Sequence, residues 1–341
     1  MKFGLFSILP RPEWRTTEDV YEAEIDLLVS ADRWGLDSVW LAEHHFSDFG
    51  ICPSPPVLAA AIAARTRRLR VGLAVSLLPF HDPVKVAEEL AVLDIVSGGR
   101  LNVGIGRGGW SKEFETFGAK HEESRARVDE GLELLRRCWT EESFTFNGQF
   151  RSVSELTVYP KPIQQPYPPL YMATNSPDST AVAAREGLIP MTSAFPSWNE
   201  LRRRYEQYVP AAVAAGRSEA DARARLQEAW VVRCVYVAET EAEARSDPER
   251  YLLSYYHELE SRHVAHPGGF EINLGQPYEH YLNDGSSIFG TPSQVLERVK
   301  ELREITGHRN LMCFMSFGGF EPAKVRRSLE LFATEVAPKL A

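Results

Sequence analysis

Gly104-Ile105-Gly106-Arg107-Gly108-Gly109-Trp110 continues directly from the apolar run Leu101 to Ile105. Its glycines at 104, 106 and 109 satisfy GxGxxG, the fingerprint of a dinucleotide-binding Rossmann fold, so the reading of this one stretch decides how the chain around it is folded. The fingerprint requires a helix to begin at the loop itself. Here Trp110 to Gly118 stands between the motif and the next long helix, and the motif comes only at the fourth apolar run. The stretch therefore reads as the C-terminal end of a parallel strand in a different α/β fold. Its close glycines let the backbone approach a ligand, and Arg107 supplies a fixed positive charge suited to a phosphate.

Outward from it, short apolar runs alternate with amphipathic stretches, the signature of βα units around a parallel sheet. Eight strands are expected: Phe3 to Ile8, Ser38 to Leu41, Leu69 to Leu77, Leu101 to Ile105, Leu170 to Thr174, Leu188 to Ser193, Val231 to Val237 and Asn310 to Met315. Val128, Leu132, Leu135 and Trp139 recur at helical spacing, as do Val325, Leu329, Phe332 and Val336. Helix starts are marked by Asp82-Pro83, Ser176-Pro177 and Thr291-Pro292, the last with Gln294 completing a capping box. Two stretches break the rhythm, residues 143 to 169 and residues 261 to 290. Both exceed an ordinary connector, and the second is expected to be a mobile active-site lid. No linker or repeat divides the chain, so residues 1 to 341 are expected to form one domain.

The 341 residues carry a formal charge of −9, and the basic group Arg65, Arg67, Arg68 and Arg70 is outnumbered by acids elsewhere, which argues against a nucleic-acid partner. No apolar run reaches the roughly 18 residues that span a bilayer, and no cleavage-site pattern follows Lys2, so a cytoplasmic protein without a membrane partner is expected. Cys52, Cys138, Cys234 and Cys313 stand singly without metal-binding spacing and read as reduced core thiols.

Two further segments carry chemistry. Ser38 to Phe46 ends in Glu43-His44-His45, and because neighbouring strand residues point to opposite sides, one histidine should enter the site while the other packs behind it. A metal site is the weaker reading of this cluster, beside a structural one. Thr174-Asn175-Ser176-Pro177-Asp178-Ser179-Thr180 opens a helix whose start either binds an anion or is simply capped by Ser176. Trp110, Phe195, Trp198 and Tyr255 are candidates for an apolar pocket or for packing.

The runs Glu43-His44-His45-Phe46, Val71 to Pro79 with His81 and Pro83, Leu93 to Arg100, Gly104 to Gly109, Asn175-Ser176 and Phe289-Gly290-Thr291-Pro292 resemble, in order and spacing, the bacterial luciferase-like flavin-dependent monooxygenases, including the luciferase α subunit. The resemblance spans nearly the whole chain. It implies a (β/α)8 TIM barrel with insertions after the fourth and seventh strands, reduced FMN as cosubstrate with dioxygen, and a non-proline cis peptide at Ala74-Val75. It also implies a flavin phosphate near Arg107, Asn175, Ser176, Ser179 and Arg125, with Glu43, Ala74, Val75, Gly106, Gly108 and Ala173 completing the flavin site. His44 matches the histidine beside the reactive flavin edge and is the expected catalytic residue.

The implied activity is oxygenation of a small organic substrate through a flavin hydroperoxide. A separate NAD(P)H-dependent flavin reductase and a homodimer through barrel helices are expected with it. Gly106 stands where the luciferase α subunit has a reactive cysteine, and Asn175 where it has glutamate, so light emission is not expected; Gly106 is read as leaving extra room beside the ring. The rival readings are a deazaflavin-dependent dehydrogenase, a non-catalytic FMN-binding protein, and a metal-dependent barrel hydrolase that lacks its usual HxH strand motif.

Overall fold

The computed structural model describes residues 1–260 and 274–340. Among them run eleven strands: β1 (Lys2–Ser7), β2 (Ser38–Leu41), β3 (Arg70–Leu77), β4 (Leu101–Gly106), β5 (Phe144–Asn147), β6 (Ser152–Leu156), β7 (Leu170–Ala173), β8 (Ile189–Thr192), β9 (Trp230–Val237), β10 (Ser287–Gly290) and β11 (Asn310–Phe314). Eight of these, β1, β2, β3, β4, β7, β8, β9 and β11, pair in parallel and close into a ring, with helices between successive strands. This is the (β/α)8 barrel, and each ring strand begins and ends within one residue of the run read from sequence. The runs are legible because a parallel strand in such a ring is covered on both faces. β2, β4, β9 and β11 are buried at every position.

Space inside the ring is shared between a large side chain and the glycines facing it. Trp40 is fully buried, donates from Nε1 to Ser38 Oγ at 2.8 Å, and meets Tyr171 edge-on at 5.1 Å. A Cβ at Gly72 would lie 2.2 Å from the Trp40 ring, so the indole fits only because that residue has no side chain.

The two irregular stretches turn out to be built. Within residues 143 to 169 lies an antiparallel hairpin, β5–β6. Of the segment expected as a lid, residues 261 to 273 lie outside the described residues. The remainder forms the helix Tyr278–Asn283 and then β10, which pairs with the second half of β9 outside the ring. That part is packed structure rather than loop, because Tyr278, Tyr281 and Ile288 are buried and Tyr281 stacks on Tyr256 at 3.8 Å.

The three expected helix starts are present. Asp82 accepts from Val84 N, and Ser176 and Thr291 each close a capping box. No helix among the described residues is long and apolar enough to cross a membrane. All four cysteines are buried free thiols, and burial pushes Cys52 up to about 12 and Cys138 up to about 11.

Candidate active site

Parallel strands in a closed ring all deliver their following loops to one end, where side chains from distant parts of the sequence meet. A cavity of about 210 Å³ occupies that end. The twelve candidate residues, Glu43, His44, Ala74, Val75, Gly106, Arg107, Gly108, Arg125, Ala173, Asn175, Ser176 and Ser179, all line it.

One side of the cavity is cationic. Arg107 follows β4, and Arg125 lies in the first turn of the helix Ser124–Thr140. Burial and then the positive charge of Arg125 hold the Arg107 guanidinium below its usual value, so the two cations stand close enough to feel one another. Beside them, the helix Pro177–Glu186 opens on Ser176, whose Oγ accepts from Ser179 N while Ser179 Oγ accepts from Ser176 N. Capping and cavity lining are therefore the same residues at work. Asn175 Oδ1 accepts from Ser193 N at 3.0 Å, which leaves its amide NH2 as the uncommitted end. Thr174 and Thr180 are buried and bonded to backbone carbonyls, so they add nothing to this wall. Asp178 pairs with Arg125, a contact the sequence did not suggest.

The floor between the two sides is backbone and small side chains. The peptide Ala74-Val75 is cis, as expected, and the β3–β4 register shifts between Leu73 and Ser76. A Cβ at Gly104 would lie 2.2 Å from the Leu73 carbonyl oxygen, and one at Gly106 would lie 2.3 Å from Val75 Cγ2. The expectation of extra room at Gly106 is thus corrected, since Val75 fills that space.

The other side carries the histidines. Glu43 Oε1 accepts from His45 Nε2 at 2.9 Å and from His81 Nε2 at 2.6 Å, and Oε2 accepts from Leu77 N at 3.1 Å. Burial opposes ionisation of Glu43, but these donors outweigh it and hold the carboxylate below its usual range. Burial likewise opposes the charge on His81, and the Glu43 bond outweighs it and raises the imidazole. Ligand-type atoms of Glu43, His45 and His81 lie within 4.8 Å of one another, and the three groups are spent on this mutual bonding. His44 enters the cavity while His45 packs against Phe117, so the two histidines part as expected, but both lie beyond the end of β2, and the neighbours Glu43 and His44 both line the cavity.

Of the four aromatic candidates, Trp110, Phe195 and Tyr255 line the cavity. Trp198 does not: it is buried and donates from Nε1 to Gly285 O at 2.9 Å. Phe49 and Glu113 also line the wall and were not singled out from sequence. Glu113 sits in the first turn of the short helix Ser111–Phe117, where an acid ordinarily signals only a favourable helix dipole.

Comparison with known proteins agrees with the fold. The profile of the family described as luciferase-like monooxygenase matches residues 1–309. The oxygenase component of flavin-dependent trigonelline monooxygenase from Acinetobacter baylyi is 28% identical, over 99% of this chain and 95% of its own length. Among solved structures, monooxygenase RslO1 from Streptomyces bottropensis superposes with a TM-score of 0.88 at 30% identity, covering 100% of both chains. The oxygenating constituent of 3,6-diketocamphane monooxygenase from Pseudomonas putida, in complex with FMN, gives 0.81 at 25% identity, covering 100% of this chain and 99% of its own.

Proposed function

This chain belongs to the luciferase-like monooxygenase family, and from that membership we propose that it is the oxygenase of a two-component system, using reduced FMN and dioxygen to oxygenate a small organic substrate. The observation that carries the reading is the pair of guanidiniums, Arg107 and Arg125, lining the cavity together with a helix N-terminus. These two cations repel; Asp178, paired with Arg125, offsets part of that repulsion, and a dianion at Arg107 relieves the rest. A flavin phosphate meets that requirement, with Ser176, Ser179 and the Asn175 amide as further donors.

The rest of the donor set fits the group equally well. Ala74, Val75, Gly106, Gly108 and Ala173 line the part of the cavity that would take the ring, and Glu43 braces the end of β3 through Leu77 N. Bound there, reduced FMN supplies the two electrons with which dioxygen is split, one oxygen atom entering the substrate and the other leaving as water. His44 holds or moves a proton at its cavity-facing ring nitrogen, a role for which an imidazole is suited. Trp110, Phe195 and Tyr255, with Phe49, keep water from the reacting region and receive the apolar part of the substrate.

The reducing equivalents come from a separate NAD(P)H-dependent flavin reductase. A homodimer fits the outer surface: Val92, Ile95 and Val96 are exposed on the helix Pro83–Ser97, and Val57 is exposed on the helix Pro55–Ala63 that packs against it. Sedimentation at the mass of two chains is the expected result.

The test is a coupled assay with a flavin reductase, a substrate panel and ¹⁸O₂, read by mass spectrometry. Gain of one labelled oxygen with FMN, and none with reduced deazaflavin, supports the reading; hydride transfer with reduced deazaflavin and no oxygen gain replaces it with a dehydrogenase.

A further inference from the structure

Two polar atoms on the cavity wall lack the partners their burial demands. Glu113 is 1% exposed; its Oε1 accepts from His45 N at 3.2 Å, and its Oε2 has no hydrogen bond. His44 Nδ1 is likewise buried without one. The two groups face each other, with Nδ1 at 3.9 Å from Glu113 Oε1. A carboxylate removed from water with one backbone donor is far from satisfied, and the cost of such a group keeps it near the donor that would complete it.

The ring of His44 has little freedom to look elsewhere. Its backbone N–H donates to Cys52 O at 3.2 Å, Phe49 packs edge-on at 5.1 Å, and a Cβ at Gly50 would stand 3.0 Å from its Cδ2. With Nδ1 turned to the carboxylate and buried, Nε2 is the nitrogen left for the cavity. Closing the Nδ1 to Oε1 gap requires a movement of about 1 Å to reach hydrogen-bond range.

We propose that Glu113 is the positioning residue of His44: its carboxylate accepts a hydrogen bond from Nδ1–H, keeps the proton on that nitrogen, and so presents Nε2 to the cavity as the acceptor. This assignment rests on the reading of the cavity as the site of oxygenation. It differs from the Glu43 cluster, in which every group is already bonded. A carboxylate behind the distal nitrogen of an imidazole selects which nitrogen carries the proton, and that choice sets what the other nitrogen does.

The experiment reads the tautomer directly, in the protein without flavin. Histidine labelled with ¹⁵N gives distinct shifts for protonated and bare ring nitrogens, and His44→Gln identifies the His44 resonances. At a pH where the ring is neutral, the wild-type protein should hold the proton on Nδ1 by at least about tenfold, the size expected of a charge-assisted bond. Glu113→Gln, which keeps the shape and an acceptor for His45 N, should lower that ratio about tenfold, and Glu113→Asp should restore part of it. A wild-type His44 protonated on Nε2, or a ratio unchanged in Glu113→Gln, overturns the proposal; the wild-type measurement decides even if a variant fails to fold. FMN titration of the wild-type protein separates this outcome from failure of the flavin reading: FMN bound with His44 protonated on Nε2 overturns the positioning role alone, and no FMN binding overturns the flavin reading.

Discussion

Glu43 and Glu113 are both buried carboxylates on the wall of one cavity, exposed by 4% and 1%, and both face histidines. Glu43 accepts three hydrogen bonds and lends itself to holding β2 against the end of β3. Glu113 accepts one, its Oε2 has no hydrogen bond, and its Oε1 lies 3.9 Å from a bare imidazole nitrogen. The same chemical pairing thus serves as a brace where it is saturated and as a poised group where it is not. The difference lies in bonding rather than in residue type, and variants at each carboxylate separate the two.

The largest effect is expected on the braced side. Glu43→Ala removes the acceptor for His45, His81 and Leu77 N together, and should cost about 3 to 5 kcal/mol of folding stability in denaturant titration. A loss under about 1 kcal/mol would mean that the cluster is not a brace. On the poised side, His44→Ala should leave stability nearly unchanged yet lower oxygenated product per flavin oxidised by about a hundredfold, the lower end of the range for general acid–base groups. Equal coupling in both proteins would remove His44 from the chemistry.

The smallest effect sharpens the comparison through pH. His81 has a raised folded value, so its contribution is full below the unfolded imidazole value and is lost as pH rises through the raised one. Glu43 is depressed, so its contribution is present above the unfolded carboxylate value and is lost as pH falls through the depressed one. The pair therefore acts in the window between. Because His81 is partly exposed, His81→Gln should cost only about 1 kcal/mol near pH 5.5, shrinking toward zero by about pH 9. A penalty constant across that range would show that packing, not charge, is what the substitution removes.

How far the sequence foretold all this follows the same division between local and distant causes. Ring strands announce themselves because burial on both faces makes apolar runs, and the helix starts at Ser176 and Thr291 because caps are local. The hairpin β5–β6 hides because it lies on the surface: Phe144 and Phe146 alternate with exposed residues and are covered by the Arg137 guanidinium from a neighbouring helix. β10 is four residues long and gains its place from pairing with β9, which no local pattern reveals. The cationic side of the site was readable from Arg107 and the Ser176 cap. The role of Glu113 was not, since it depends on a carboxylate meeting a histidine 69 positions away. The filling of Gly106 by Val75 likewise depends on register between β3 and β4.

The account stands on the cationic mouth holding the flavin phosphate, and comparison of FMN with riboflavin, which lacks the phosphate, tests it most directly. Equilibrium titration of the wild-type protein should show FMN bound at least about tenfold more tightly than riboflavin, and Arg107→Ala should abolish that preference by weakening FMN alone. Equal affinity for the two flavins in the wild-type protein, or a preference that survives Arg107→Ala intact, would contradict it.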